Sequence, residues 1–372
     1  MEMNKHGMAQ WLFVTRHEER NGVMGGANSK KIRVLHGPTN IVNQMETLAK
    51  GLSEKGVFCR TVDTYNSFLA YEKQYTFKGI WPSKDATDDQ LEKFVKNNLA
   101  HQFDLFHLHF GLTFIPSQKD ISILRDEGKP LVMQYYGSDI RSLKAALEIN
   151  PYARVKRNIL PSVFHRKIKA CADQIKYCVV ADAELEYYVK DYYEEVFRFP
   201  IVIDLSQYQE TQPKLNSGVP LIVHAPTHAH IKGRDTILKV MEELKEDFKF
   251  DFQLIQNCSH NKAKAIYEQA DLIIDQLHVG CYGALAIETM ALGKPVVCYI
   301  SDFMREDYPS DLPIINANPD TLLAVMKSLL SNQDALPEIG KRSRKYVERV
   351  HDYAENSEKM KQFYERILNS LT

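Results

Sequence analysis

The sequence predicts an α/β protein with two doubly wound, Rossmann-like domains that face each other across a cleft. Apolar runs of strand length alternate with helical patterns, and this alternation occurs twice, with a break near residues 205–218. The 372 residues suffice for two domains of ordinary size, each with its own core. A ligand is expected in the cleft between them.

Composition and charge narrow the class of protein. Hydrophobic residues make up 44% of the chain and charged residues 26%, as in soluble globular proteins. No apolar run approaches the roughly 20 residues of a membrane span, and the first residues lack the features of a signal peptide. With 47 basic and 48 acidic residues, the net charge of −1 gives no electrostatic case for a nucleic-acid partner.

The six cysteines show no paired C-x-x-C spacing, and most fall in strand-like or helical runs. A free cysteine in such a run behaves as a small hydrophobic residue. We therefore expect a cytoplasmic protein in a reducing compartment, without structural zinc.

The first domain is predicted at residues 31–205. Residues 1–30 before it are polar and form either a poorly ordered leader or an additional edge segment. The domain begins with a strand at 31–35, a loop that contains Gly37, and a helical pattern at 41–55. A single glycine in this loop does not make a dinucleotide-binding fingerprint, which needs three.

Polar residues follow two predicted strands of this domain, at the carboxyl ends where open α/β sheets bind ligands. The strand at 103–111 carries His107 and His109 on one face. The next strand runs into the segment YGSDIR at 136–141, which contains Asp139. No third metal ligand follows the histidines locally, so a role in a sugar cleft or in the core is favoured over a metal site.

A basic stretch at residues 154–169 is interleaved with apolar side chains. Its basic members are Arg154, Lys156, Arg157, His165, Arg166, Lys167 and Lys169. A solvated surface is the favoured interpretation. The alternative is peripheral contact with an anionic membrane, at its inner face, or binding of an anionic acceptor.

The second domain is predicted at residues 206–353. It opens with a strand at 220–223, followed by a loop that begins at His224 and reaches Lys232 and Arg234. These side chains place cations at the mouth of the cleft, which suits a pyrophosphate.

The segment GCYGALAIETMALGKPVV, at residues 280–297, organises the second domain. It lies between two apolar runs that are typical of buried parallel strands, and Gly283 lets the backbone approach a ligand. The helix that follows begins with unpaired N–H groups and about half a positive charge, so the backbone at Ala284 and Leu285 suits a phosphate. One turn further on, Glu288 can accept hydrogen bonds from a ribose diol. A strand, a glycine loop and a helix in this order occur in any α/β protein, so the segment has a purely structural interpretation as well.

Several of these motifs resemble the retaining GT-B glycosyltransferases, specifically glycosyltransferase family 4. The resemblance covers roughly residues 31–372 and is stronger in the second half. The matching positions are Gly137-Ser138-Asp139, Lys232-Gly233, Tyr282-Gly283, Ile287-Glu288, Met290-Ala291 and Gly293-Lys294-Pro295-Val296-Val297. Three positions depart from the family: Gly280 replaces the first of two glutamates, Tyr136 replaces a histidine, and Ala229 replaces an arginine.

The resemblance implies a GT-B fold in which residues 31–205 serve the acceptor and residues 206–353 bind the donor. A C-terminal helix at about 354–372 is then expected to pack back on the first domain. The implied reaction transfers a hexose from a nucleotide-diphosphate sugar, with a UDP-sugar as the first choice, to a glycan or lipid-linked acceptor hydroxyl in polysaccharide biosynthesis. The anomeric configuration is retained, and neither a metal nor another cofactor is expected, since no Asp-x-Asp triplet is present.

The resemblance also implies roles for individual residues. Charge stabilisation and catalysis are assigned to Lys232, Arg234, His109 and Asp139, and donor binding to Gly37, His224, Gly283, Ala284, Leu285 and Glu288.

Two other functions remain open at this stage. A catalytically silent GT-B protein that binds a glycan or a nucleotide would explain Gly280 and Tyr136, although Lys232 and Glu288 argue against it. A sugar-nucleotide epimerase should carry carboxylates near the anomeric centre, and a phosphorylase would be longer or bear a cofactor lysine. The oligomeric state is not predicted.

Overall fold

Two parallel β-sheets, one in each half of the chain, form the frame of the computed structural model. The structure describes residues 31–64, 73–77, 81–82, 86–213 and 218–371, so the predicted leader at 1–30 lies outside the described residues. The strands are β1 (Arg33–Gly37), β2 (Phe58–Thr61), β3 (Leu105–His109), β4 (Leu131–Gln134), β5 (Tyr177–Val180), β6 (Glu195–Arg198), β7 (Leu221–His224), β8 (Asp251–Leu254), β9 (Leu272–Ile274), β10 (Val296–Cys298) and β11 (Ile315–Asn316).

Helices connect these strands, as parallel pairing requires. They are α1 (Gln44–Glu54), α2 (Asp88–Phe94), α3 (Ala100–Gln102), α4 (Lys119–Asp126), α5 (Leu143–Ile149), α6 (Pro161–Ala172), α7 (Ala183–Val189), α8 (Ala229–Lys232), α9 (Arg234–Leu244), α10 (His260–Tyr267), α11 (Ala284–Ala291), α12 (Asp302–Arg305), α13 (Leu322–Ser331), α14 (Leu336–Val350) and α15 (Tyr353–Asn369). A π-helical turn at Val95–Leu99 joins α2 to α3.

The first sheet has the strand order β2-β1-β3-β4-β5-β6, and all of its described pairs are parallel. Successive side chains of a strand reach opposite faces of the sheet. Val34 and Leu105 accordingly pack with α1 and α15, whereas Leu35 and Phe106 pack with α4 and α6 on the other face. Both faces are covered, as is usual for parallel sheets.

The second sheet has the order β11-β10-β9-β7-β8, again with parallel pairs. Val223 and Ile273 pack with α10, α11 and α14, and Ile222 and Leu272 pack with α9 and α13. Each half of the described chain therefore has its own sheet and its own core.

The last helix, α15, packs on the first sheet although it follows the second one in sequence. Tyr364 and Met360 are fully buried there, and the Phe363 ring stacks on Phe197 of β6 at a centroid distance of 4.5 Å. The approach to α1 is close enough that a Cβ atom at Gly51 would lie 1.9 Å from the Ser357 hydroxyl oxygen. The chain thus returns to its first half, and the two halves are connected twice.

Several element boundaries differ from the sequence predictions. Helix α1 begins at Gln44 rather than at residue 41, because Val42 and Asn43 adopt positive φ angles of 47° and 59°. The basic stretch is helical only from Pro161 onward. Helices α4 and α5 and strand β6 were not anticipated.

Within the described residues, no helix is both long and apolar enough to cross a membrane.

Candidate functional site

A cavity of about 350 Å³ is lined by residues from both halves of the chain. A second cavity, of about 440 Å³, adjoins it and shares five lining residues with it: Val42, Ile201, His260, Ala284 and Glu288. We call the first the inner cavity and the second the outer cavity. Of the ten site residues predicted from the sequence, five line the inner cavity: Lys232, Gly283, Ala284, Leu285 and Glu288.

Helix α11 directs its amino terminus at the inner cavity. It begins at Ala284, as predicted, after Gly283, and no side chain caps it. The first N–H groups of a helix have no partner within the helix and carry the positive end of its dipole. This wall of the cavity therefore suits an anion.

Lys232 ends the short helix α8 and lies beside the same wall. Its Nζ atom is 2.6 Å from Asp275 Oδ1, and Asp275 is fully buried just after β9. The second carboxylate oxygen of Asp275 has no hydrogen-bond partner among the described residues. Because an unpaired buried charge is costly, the carboxylate holds the ammonium group in place.

Glu288 lies between the two cavities and contacts His260 at the start of α10. The distance between His260 Nε2 and Glu288 Oε1 is 3.0 Å. Burial lowers the pKa of His260, but the hydrogen bond and charge of Glu288 more than offset this, so the pKa is raised overall. The contact between His260 and Glu288 was not predicted, because nothing local indicates that α10 meets α11 at this residue.

Arg141 and Glu184 form an ion pair on the first-domain wall of the inner cavity. Two parallel contacts of 2.6 Å join the guanidinium to the carboxylate, and the Tyr188 hydroxyl donates to Glu184 at 2.8 Å. Asp182 lines the same wall, and burial raises the pKa of its carboxyl to about 7. Arg141 and Asp182 follow β4 and β5, so the rule that indicated His109 and Asp139 could have found them.

His109 lines neither cavity but contacts Tyr136. It is fully buried, with Nε2 at 2.9 Å from His36 Nδ1 and Nδ1 at 2.7 Å from the Tyr136 hydroxyl. Tyr136 lines the inner cavity. His109 is therefore linked to the cavity wall through its hydrogen bond with Tyr136.

His36 supplies the third imidazole that the sequence did not reveal near His107 and His109. One ring nitrogen from each lies within 4.8 Å of the others. The rings of His107 and His109 are stacked, with centroids 4.5 Å apart and planes inclined by 17°. Since the lone pairs lie in the ring planes, stacked rings direct them side by side and not at one point. The arrangement fits a hydrogen-bonded chain better than a metal site.

That chain continues to the last helix. The Tyr364 hydroxyl lies 2.6 Å from His107 Nδ1. Burial lowers the pKa of His36 to about 3 and those of His107 and His109 well below their ordinary value, so all three imidazoles are neutral at pH 7.

The remaining predicted residues lie outside the lining of both cavities. Gly37 is buried, and a Cβ atom there would lie 2.5 Å from the Phe114 ring, so packing explains this glycine. His224 is fully buried and its Nδ1 lies 2.8 Å from the Ile274 carbonyl. Arg234 contacts its neighbour Asp235 at 2.9 Å.

Asp139 organises the loop that carries Tyr136. Its carboxylate accepts hydrogen bonds from the backbone N–H groups of Tyr136 at 3.1 Å and Gly137 at 2.7 Å. Burial raises the pKa of Asp139 to about 6, against the effect of these hydrogen bonds. The structure thus gives Asp139 a positioning role rather than a place in the cavity wall.

Gly280 has a φ of +84°, which favours glycine. A Cβ atom there would lie 2.8 Å from Asn150 Nδ2 and 3.1 Å from Ser301 Cβ. Asn150, from the first domain, donates to the His278 carbonyl at 3.0 Å. A first-domain residue therefore occupies the space in which a side chain at position 280 would begin.

The basic stretch is exposed along most of its length. Leu160, within it, is 70% exposed, and Arg157, Arg166 and Lys167 around it are also exposed. Arg154 instead points to the second domain, where its Nη1 is 3.5 Å from the His230 carbonyl.

Comparison with known proteins shows the fold. No family model matches the sequence, and no curated protein matches it. Sucrose-phosphate synthase from Thermosynechococcus elongatus is similar in structure, with a TM-score of 0.63 and 14% identity over 92% of this chain and 100% of that chain. A glycosyltransferase from Rickettsia africae gives a TM-score of 0.62 and 13% identity over 91% and 99%. HepE from Anabaena, in complex with UDP-glucose, gives a TM-score of 0.62 and 11% identity over 90% of this chain and 99% of that chain. The chain therefore has the GT-B fold, and the predicted fold class is confirmed.

We predict that a Glu288→Gln substitution lowers the pKa of His260, because burial then acts without the opposing carboxylate. An NMR titration of the histidine ring signals measures this, with His260→Gln identifying the resonance. Glu242→Gln, which removes an exposed carboxylate paired with Lys245, is the matched control and should leave the pKa of His260 unchanged.

The raised pKa of His260 also makes the stability of the folded protein depend on pH. Because the pKa of His260 is raised in the folded state, the stabilisation from the pair is fully present below the ordinary value of about 6.5 and is lost as the pH rises through the folded-state pKa. A wild-type pKa below about 6.5 would contradict the ion pair.

Proposed function

We propose that the protein is a glycosyltransferase that moves a hexose from a nucleotide-diphosphate sugar to an acceptor hydroxyl. The observation that carries the proposal is the convergence of Lys232, the uncapped start of α11 and Glu288 on one cavity. A cation and free backbone N–H groups suit a diphosphate, and a carboxylate one turn further along suits a ribose diol. A UDP-sugar is the first candidate, since HepE, which has the same fold, is described in complex with UDP-glucose.

The proposed division of labour follows the two domains. Residues 206–353 bind the donor, with its phosphates at Ala284 and Leu285 and its nucleoside directed past Glu288 into the outer cavity beside His260 and Asn261. Residues 31–205 receive the acceptor along the wall that contains Tyr136. The polar outer cavity is large enough for a nucleoside.

The chemistry asked of these residues is electrostatic. As the glycosidic bond to the diphosphate breaks, negative charge grows on the leaving phosphate, where Lys232 and the start of α11 stabilise it. The diphosphate can then take the acceptor proton on the same face of the sugar, which retains the anomeric configuration without a metal ion. Both features are part of the proposal, and product stereochemistry and insensitivity to EDTA test them.

A GT-B protein that binds nucleotides without transfer is the second candidate. Gly280 favours it, because the backbone there excludes the glutamate that the family uses near the donor sugar. Gln276 lines the inner cavity and offers a different polar contact for the sugar. Nucleotide binding without transfer to any glycan, phospholipid or polyprenyl acceptor would support this candidate.

We predict that one nucleoside diphosphate raises the unfolding midpoint of the protein by several degrees, with or without EDTA. At 1,000 times its dissociation constant a ligand stabilises the native state by about 4 kcal/mol, and such a gain shifts the midpoint of a protein of this size by several degrees. Lys232→Gln and Glu288→Gln should each weaken binding about tenfold or more, as expected for lost hydrogen bonds to charged groups.

The matched control is Lys327→Gln, which removes an exposed lysine paired with Asp247 outside both cavities. Its binding should equal that of the wild type. If no nucleoside diphosphate among those of uracil, guanine, adenine and cytosine shifts the midpoint, the transferase proposal fails.

We also propose that the basic stretch contacts an anionic membrane surface, which would bring the cleft close to a lipid-linked acceptor at the inner face of the membrane. Exposed basic residues beside an exposed leucine favour binding to such a surface, and each basic residue near the membrane contributes about 1 kcal/mol to the binding free energy.

We predict that the protein co-sediments with vesicles rich in phosphatidylglycerol and not with phosphatidylcholine vesicles, and that salt releases it. Leu160→Asp should reduce this binding, whereas Leu371→Asp, at another exposed leucine, should not. Equal binding to both kinds of vesicle, or to neither, would contradict the membrane contact.

A further inference from the structure

We propose that Arg141 binds the diphosphate of the donor from the first domain, opposite Lys232, and supplies the second cation of the site. The inference rests on the proposed function, since it concerns the same cleft and the same ligand.

The guanidinium of Arg141 is held in a fixed orientation. Its Nε and Nη2 atoms each lie 2.6 Å from an oxygen of Glu184, whose side chain is 4% exposed. The Tyr188 hydroxyl in turn donates to Glu184. The remaining nitrogen, Nη1, has no hydrogen-bond partner among the described residues, and Arg141 lines the inner cavity. An arginine that is fixed along its Nε–Nη2 edge therefore offers Nη1 to a ligand.

The position of Arg141 fits the place where the phosphates are expected. It lines the inner cavity together with Lys232, Ala284 and Leu285. Cys281 and Gly283, in the loop that leads into α11, line the same cavity, so Arg141 and the start of α11 border one space.

The second-domain wall leaves a place for a second cation. Lys232 shares its charge with the buried Asp275. Arg234 contacts Asp235 and does not line the inner cavity, and position 229 is an alanine. A diphosphate offers several oxygens, and a guanidinium suits two of them at once.

The consequence is a ligand that bridges the two domains. A diphosphate bound at α11 and Lys232 would also reach Arg141 of the first domain, whereas a monophosphate has no second phosphate for this contact. Arg141 should therefore discriminate between nucleoside diphosphates and nucleoside monophosphates.

Isothermal titration of the full chain with UDP and UMP, GDP and GMP, and ADP and AMP, without acceptor, tests this inference. Arg141→Gln and Arg141→Lys should each lower the affinity for the diphosphate that the wild type binds by about tenfold or more. The affinity for the matching monophosphate should stay within about twofold of the wild-type value. Arg366→Gln is the matched control, because Arg366 also has a two-contact glutamate partner, Glu195, but lies outside both cavities.

Removal of Arg141 leaves Glu184 buried without its cation, which can destabilise the fold. The double variant Arg141→Gln, Glu184→Gln replaces the ion pair by two neutral amides, and its unfolding midpoint verifies that it is folded. The same selective loss of the diphosphate in this variant supports the inference.

Equal weakening of both ligands, or no weakening, overturns the inference and leaves the proposed function intact. If the diphosphate affinity is unchanged and a separate assay with acceptor shows that transfer is lost, Arg141 is assigned to the acceptor, which would also overturn the inference. A wild type that binds none of the diphosphates overturns the proposed function itself, and this inference with it.

Discussion

Parallel pairing is the constraint on which the rest of the structure depends. Every described pair in both sheets is parallel, from β1 with β3 to β7 with β9. Each connection must cross over the sheet, so the carboxyl ends of all strands of a sheet lie at one edge. Tyr136 follows β4, Asp182 follows β5 and Asp275 follows β9, and all three are at or beside the inner cavity because of this directionality.

The electrostatics of the cleft depend on two ion pairs, one on each wall. Lys232 is held by Asp275 in the second domain, and Arg141 is held by Glu184 in the first. Buried ion pairs of this kind rarely stabilise a fold more than apolar residues would. Here the carboxylates fix the orientation of the two cations. Cations that are fixed before a ligand binds lose little entropy on binding it. The start of α11 adds a fixed dipole to the same cavity.

Local signals in the sequence predicted much of this fold, and five of the ten site residues predicted from them line the inner cavity. The loop before α11 and the lysine that ends α8 were found because their patterns are short and continuous. The partners of the predicted site residues were not found, since they are distant in sequence: Asp275 is 43 residues from Lys232, and His260 is 28 residues from Glu288.

Two predicted residues illustrate a different limit. Gly37 and His224 follow the rule for strand ends, yet their side-chain positions are filled by core packing, which depends on Phe114 and on the Ile274 carbonyl. The departure at Gly280 likewise became interpretable only when its positive φ and the approach of Asn150 were known. Sequence patterns locate the edge of a sheet, whereas tertiary packing decides which residues there reach a cavity.

A crystal structure of the protein with the nucleoside diphosphate that it binds tests the central claim most directly. The account predicts phosphate oxygens at hydrogen-bonding distance, roughly 2.7–3.2 Å, from the backbone N–H groups of Ala284 and Leu285 and from Lys232, with the ribose hydroxyls at Glu288. A nucleotide bound elsewhere, or a diphosphate that turns away from the start of α11, would contradict it.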